Sequence, residues 1–207
     1  MSAERVTFEN RSGQTLVGLL DLPEEKDTTV YALFAHCFTC GKNLKPIVNI
    51  NKTLANYGIG VLRFDFTGIG ESQGDFSETS FSSNVEDIEA AADFLAANYD
   101  APALLIGHSM GGAAVLQSAG RIDSARAVIT IAAPSSPDHL SNILKEKRNM
   151  AKSEGAAEVT IAGRTFTLTK EFFDDLEAQK MRDTIDNLIL PLLILHSPKD
   201  ETVDMEN

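Results

Sequence analysis

Gly107-His108-Ser109-Met110-Gly111 sets a serine between two glycines, directly after the apolar run Leu104-Leu105-Ile106. Beyond it, Ala113, Ala114, Leu116 and Ala119 open a stretch rich in helix formers. A strand, a very tight turn and a helix, in that order, form the setting of a nucleophile elbow. The glycines are needed because side chains there would collide with neighbouring backbone. Ser109 is expected at the carboxyl end of the strand, above a helix amino terminus. The dipole and unpaired N–H groups of that terminus favour negative charge on a bound carbonyl oxygen. The chemistry this spacing suits is acyl transfer through a serine.

Such a serine needs a base to take its proton and an acid to hold the base, here in the chain order Ser, Asp or Glu, His. Asp200 fits the acid, in the loop Ser197-Pro198-Lys199-Asp200-Glu201-Thr202 after the apolar run Leu192 to Leu195; Glu201 and Asp204 are weaker substitutes. The chain has four histidines, His36, His108, His139 and His196, and none follows Asp200. Adjacent residues in a sharp turn point different ways, so His108 is expected to brace the elbow. His36 and His196 end strands and read as satisfied core or loop histidines. His139 would reach the serine only by the folding-over of its segment. The base is therefore expected in polypeptide beyond this sequence, as part of a longer protein.

One oxyanion donor is expected from the main-chain N–H of Met110, and the second from Phe38, in the loop His36-Cys37-Phe38-Thr39-Cys40-Gly41-Lys42. Cys37 and Cys40 also have the spacing of a dithiol redox pair. Thioredoxin-type pairs start a helix, whereas here a loop follows, so inert packing or sensitivity to oxidation is preferred. Two cysteines without a second ligand pair do not close a zinc tetrahedron, and no metal or other cofactor is expected.

The elements that must position these residues are legible as alternating patterns. Residues 5–9 and 14–22 read as paired strands around a turn at Asn10 to Gly13, followed by a polar loop over Pro23 to Thr28. Val30 to Ala35 is a strand covered on both faces. Ile47, Ile50, Leu54 and Tyr57 line one face of a helix over Pro46 to Tyr57, ended by Gly58 and Gly60. Val61 to Phe66 is the next strand, closed by the turn Thr67 to Ser72. Phe81, Val85, Ile88, Ala92, Leu95 and Tyr99 make one apolar stripe, capped by Ser80 or Thr79. Strands follow at Ala127 to Ala132 and Leu190 to His196. This alternation predicts an α/β fold, a mostly parallel doubly wound sheet with helices on both faces, and ligands at the carboxyl ends of its strands. Residues from about 135 to 188 break the alternation with a hairpin turning at Ala162-Gly163. That length exceeds a connection and reads as a lid.

At 207 residues and 43% hydrophobic the chain suits one domain, 1–207. A net charge of −12 repels nucleic acid and anionic membranes, so neither is an expected partner. The polar start gives no signal-peptide pattern, and two cysteines give no disulfide framework; a cytoplasmic location is expected.

These residues resemble the α/β-hydrolase superfamily, through Gly107 to Gly112, His36 to Thr39, and the run Arg63-Phe64-Asp65-Phe66-Thr67-Gly68-Ile69-Gly70-Glu71-Ser72, which is similar to a signature of its esterases and lipases. Ala35 to Asn43 and Phe81 to Val85 are similar to the hydrolase half of bacterial bifunctional proteins that carry an OsmC-type peroxidase domain behind it. The resemblance implies Ser109 as nucleophile, Asp200 as acid, and Phe38 and Met110 as oxyanion donors. It also implies a further strand and final helices after Asp200, a carboxylic ester substrate, and a C-terminal OsmC-type domain in the parent protein. The apolar lid residues Ile143, Leu144, Phe166, Phe172 and Phe173 suggest an apolar acyl or aryl group on a small substrate. The rival readings are a non-catalytic binding module of the same fold and a thiol redox protein using Cys37 and Cys40.

Overall fold

The computed structural model describes residues 3–24 and 27–207. Of the expected loop over Pro23 to Thr28, Glu25 and Lys26 therefore lie outside the described residues. Among the described residues nine strands form: β1 (Ala3–Glu9), β2 (Thr15–Asp21), β3 (Val30–Ala35), β4 (Ile59–Phe64), β5 (Leu104–His108), β6 (Ala127–Ile131), β7 (Ala156–Ile161), β8 (Arg164–Thr169) and β9 (Leu192–Leu195). The α-helices are α1 (Lys45–Asn56), α2 (Phe81–Asn98), α3 (Met110–Ala119), α4 (Asp138–Ile143), α5 (Lys145–Glu154), α6 (Lys170–Ala178) and α7 (Met181–Asp186). Seven strands make one sheet in the order β1-β2-β4-β3-β5-β6-β9. β1 and β2 pair antiparallel, as do β2 and β4, and every later pairing is parallel.

The sequence explains the layers. β3 reads VYALFA and is buried from its second residue on, as a central parallel strand covered on both faces must be. α2 starts at a reciprocal capping box, with the Ser80 hydroxyl accepting from the Ser83 N–H and the Ser83 hydroxyl from the Ser80 N–H. Its apolar stripe packs with α3 against one sheet face, while α1 covers the other through Ile47, over Ala32, Phe34, Val61 and Ile106. That second face is covered unevenly. Leu193 and Leu195 lie in register with Ile129 and Ile131 of β6, yet remain 51% and 48% exposed. Among the described residues no strand pairs with the outer edge of β9.

Two boundaries differ from the sequence reading. Gly60 lies inside β4, whose pairing with β3 begins at Val30↔Ile59, so only Gly58, at φ +90°, ends the helix. The run Leu190 to His196 shortens to four paired residues because β6 offers partners only from Val128 to Ile131. Residues 138–186 hold α4 to α7 and the β7–β8 hairpin, whose turn is Ala162-Gly163 with both φ positive. Two left-handed residues in sequence match the twist of a two-residue hairpin. This segment is fixed to the body. Asp175 accepts from the Ser82 N–H at 2.9 Å and the Ser82 hydroxyl at 2.6 Å, and Phe166, Phe172 and Phe173 are buried. These three phenylalanines pack inward, where the sequence suggested a surface over the ligand.

Candidate active site

Ser109 sits between β5 and α3 at φ 53°, ψ −125°, a left-handed conformation that few residues other than glycine adopt. The turn is held by its own backbone, with the Ser109 N–H donating to Ile131 O at 2.9 Å and the Gly112 N–H to Ser109 O at 2.8 Å. A serine in this place ordinarily caps the helix with its hydroxyl. Here the distorted backbone turns the side chain away and it makes no cap hydrogen bond. The glycines are explained by contact. A Cβ at Gly107 would lie 2.3 Å from Gly111 O, and one at Gly111 2.3 Å from His36 O.

The hydroxyl faces a cavity of about 330 Å³. Asp200, Phe38 and Met110 line it too, so all four residues singled out for chemistry come together. Asp200 is positioned by its own loop, its Oδ1 accepting from the Thr202 N–H at 2.9 Å and the Val203 N–H at 3.0 Å. Those main-chain donors, Val203 first and then Thr202, hold its carboxyl below the usual range, with His196 and His108 adding to the effect. The rest of the wall is mostly apolar, with Leu140, Ile143, Ile161 and Val203 among its residues.

Three histidine rings are engaged with main-chain carbonyls. His36 Nδ1 lies 2.8 Å from Cys37 O, His139 Nε2 2.9 Å from Thr202 O, and His196 Nε2 2.7 Å from Val203 O. His36 is buried, and desolvation is the main cause that lowers its pKa to about 4. His108 differs from the sequence reading. It lines the same cavity as Ser109 instead of pointing away, and its buried Nδ1 has no hydrogen-bond partner. Burial lowers its pKa, against the opposing pull of Asp200.

The loop after β3 is braced by charges that the sequence reading did not assign. Lys42 Nζ lies 2.5 Å from Asp65 Oδ2 and 2.6 Å from Glu71 Oε2, and the Lys42 N–H donates to Asp65 Oδ1 at 2.8 Å. Arg63 donates to Lys42 O and pairs with Asp21 at 2.8 Å. The signal was present, since Arg63 and Asp65 interrupt an otherwise apolar strand end. Buried charges need partners, and here those partners stitch the loop to the sheet. Phe38 packs against Phe76 and Phe172, each with ring centroids 5.6 Å away, which ties the loop to residues 138–186. Cys37 and Cys40 are joined as a disulfide with Cα atoms 5.3 Å apart, so the pair counted as no framework is a local bridge. Among the described residues no His, Cys, Asp and Glu group is arranged to hold a metal ion, and no helix is long and apolar enough to cross a membrane.

Comparison with known proteins bears on the family and the fold. The chain is 43% identical to the esterase domain of a Rhodothermus marinus protein, with TM-score 0.76, covering 100% of this chain and 81% of that one. Est1E of Butyrivibrio proteoclasticus with bound ferulic acid is 24% identical at TM-score 0.77, over 97% and 82% of the two chains, a likeness of fold. Rat (Rattus norvegicus) mitochondrial palmitoyl-protein thioesterase ABHD10 is 31% identical over 101 residues, which are 48% of this chain and only 33% of that protein. Residues 41–164, from the braced loop through α3 to the hairpin, match the family described as serine aminopeptidase, S33. The chain belongs to that family and has the α/β-hydrolase fold.

Proposed function

We propose that the chain is a serine hydrolase acting on carboxylic esters of small acyl groups. The observation that carries this is Ser109, strained, uncapped and half-buried, in one cavity with Asp200 and the loop of Phe38. In this reading the Ser109 hydroxyl attacks the ester carbonyl as a base takes its proton. The oxyanion is met by the main-chain N–H groups of Met110 and Phe38, the alcohol leaves, and water releases the acid from the acyl-enzyme. Asp200 orients the base and stabilises its charge. A cavity of about 330 Å³ is near the lower end of ligand pockets and suits short or aryl acyl groups. Residues 138–186 act as a cover over the strand ends, with Leu140, Ile143 and Ile161 facing the acyl group.

The aminopeptidase chemistry in the family's description is less well served. Holding a substrate ammonium takes a free carboxylate, and among the described residues lining the cavity Asp200 is the one acid, already bonded to two N–H groups. A thioester is a second reading, supported by the relative named as a palmitoyl-protein thioesterase. The same acyl-enzyme serves both.

The test is labelling with a serine-directed fluorophosphonate, with hydrolysis of p-nitrophenyl butyrate and its thioester analogue by the full-length natural protein. Ser109→Ala abolishes both signals if the reading holds, and undiminished turnover in that variant refutes it. Rapid labelling of the 207-residue chain alone assigns the base to one of the two histidines lining the cavity, His108 or His139. Labelling only of a longer natural polypeptide that contains these residues assigns it to a histidine outside residues 1–207. Labelling of neither leaves a binding module.

A further inference from the structure

We propose that the Cys37–Cys40 disulfide is a thiol-exchange site opening on the Ser109 cavity, through which a low-molecular-weight thiol controls the loop of Phe38. The control of hydrolysis rests on the reading of Ser109 given above, whereas the exchange reaction itself does not. Cys37 lines the cavity with Ser109 and also the small cleft behind Phe38, and Cys40 lines neither. Both cysteines are partly exposed, and a thiolate that enters through the Ser109 cavity meets Cys37. An attacking thiolate forms a bond to Cys37 Sγ as the bond to Cys40 Sγ breaks. Cys40 departs as the thiolate and takes a proton from water. With a dithiol, its second sulfur then displaces Cys37, leaving two cysteine thiols and the cyclic disulfide of the reductant, a transfer of two electrons and two protons.

The bridge encloses only Phe38 and Thr39, and both matter. Thr39 sits at φ 59°, a left-handed conformation unfavourable for a β-branched residue. What holds it is the bridge, together with the Cys40 N–H donating to Cys37 O at 3.1 Å and a long contact from Arg164 to Thr39 O. Both flanks are fixed independently, by His36 against Cys37 O and by Lys42 in its carboxylate pair. Opening the bridge therefore removes the covalent hold on two residues, leaves them to the packing of the Phe38 ring and these hydrogen bonds, and leaves the fold standing. One of the two carries the proposed oxyanion donor. Unlike a dithiol at a helix start, this pair lies in a turn, with α1 beginning only at Lys45. Its action is on the geometry of the loop. A mixed disulfide on Cys37 would also place the thiol's substituent where the acyl group belongs.

The experiment follows the two sulfurs and the hydrolysis separately. In single variants, Cys40→Ser leaves Cys37 and Cys37→Ser leaves Cys40, and each is treated with oxidised glutathione and followed by intact mass. Cys37 is expected to form the mixed disulfide at least about tenfold faster, following its access. Equal rates, or a faster Cys40, overturn the exchange site. Ester hydrolysis by the full-length protein is then measured before dithiothreitol, after it, and after reoxidation. Reduction lowers kcat by about tenfold or more, a part of the hundred- to thousandfold that loss of one oxyanion donor costs, and reoxidation restores it. Cys37→Ser/Cys40→Ser stays at the lower value whether or not dithiol is present. Occupying Ser109 with the fluorophosphonate slows reduction of the bridge. Hydrolysis indifferent to the redox state refutes the control. Failure of the Ser109 reading looks different, with no hydrolysis or labelling in either redox state.

Discussion

Replacing Gly111 by alanine tests whether the turn at Ser109 works by fixed geometry. An added Cβ would meet two main-chain oxygens, His36 O at 2.3 Å and Ala35 O at 2.4 Å, where ordinary contact starts at 3.4 Å. Neither atom is the end of a flexible side chain, so the carboxyl end of β3 must retreat from α3 by roughly 1 Å, a misplacement that costs about a hundredfold when it moves a catalytic group. The group that moves is the Phe38 loop, which leads directly out of β3. Forcing a methyl group into packed backbone also destabilises by about 1–3 kcal/mol. For a chain of this size that lowers Tm by about 2–12 °C. The assay pairs kcat/KM for p-nitrophenyl butyrate, measured on the full-length protein, with a thermal melt. Gly120→Ala is the control. That position has helical backbone and nothing within 4 Å of the added carbon, so the change is neutral or stabilises by up to about 1 kcal/mol. Wild-type turnover together with an unchanged melt in Gly111→Ala would show that β3 and α3 are not held at the spacing described.

Asp200→Asn keeps an oxygen for the Thr202 and Val203 N–H groups but removes the charge. On the proposed role kcat falls by about 10⁴-fold with little change in Tm, and an active variant would remove Asp200 from the mechanism. Lys42→Met leaves Asp65 buried without its cation, although the Lys42 and Glu71 N–H groups still reach it. The expected loss is about 3 kcal/mol in urea unfolding, the low end for breaking a buried pair. His36 is neutral in the folded protein because its pKa lies at about 4, below the ordinary 6.5. The unfolded chain therefore binds a proton that the folded one refuses. His36 costs about 3 kcal/mol of stability as pH falls from about 6.5 to 4, and His108 acts in the same direction. In His36→Gln the urea midpoint should vary less steeply over that range, and an unchanged slope would show that another group is responsible.

Periodicity and turn chemistry decided much of this protein before any coordinate. The apolar stripe from Phe81 to Leu95 with Ser80 before it gives a capped helix in any context, because both features are local. The continuous apolar run of β3 requires cover on two faces, and glycines around Ser109 require a turn too tight for side chains. The Ala162-Gly163 hairpin is equally local. What only the tertiary structure decided are relations between distant segments. Asp200 shares a cavity with Ser109 because β9 lies beside β6 in parallel, with Ile131 opposite Leu195. His108 turns out to face that cavity, and the phenylalanines of residues 138–186 turn inward onto Phe38 and Phe76. Lys42, Asp65 and Glu71 meet because the loops after β3 and β4 leave neighbouring parallel strands at the same end. Spacing along a chain reports which face a residue occupies within its own element. Which charges and rings share a buried space depends on how those elements are set side by side, and no local pattern encodes that.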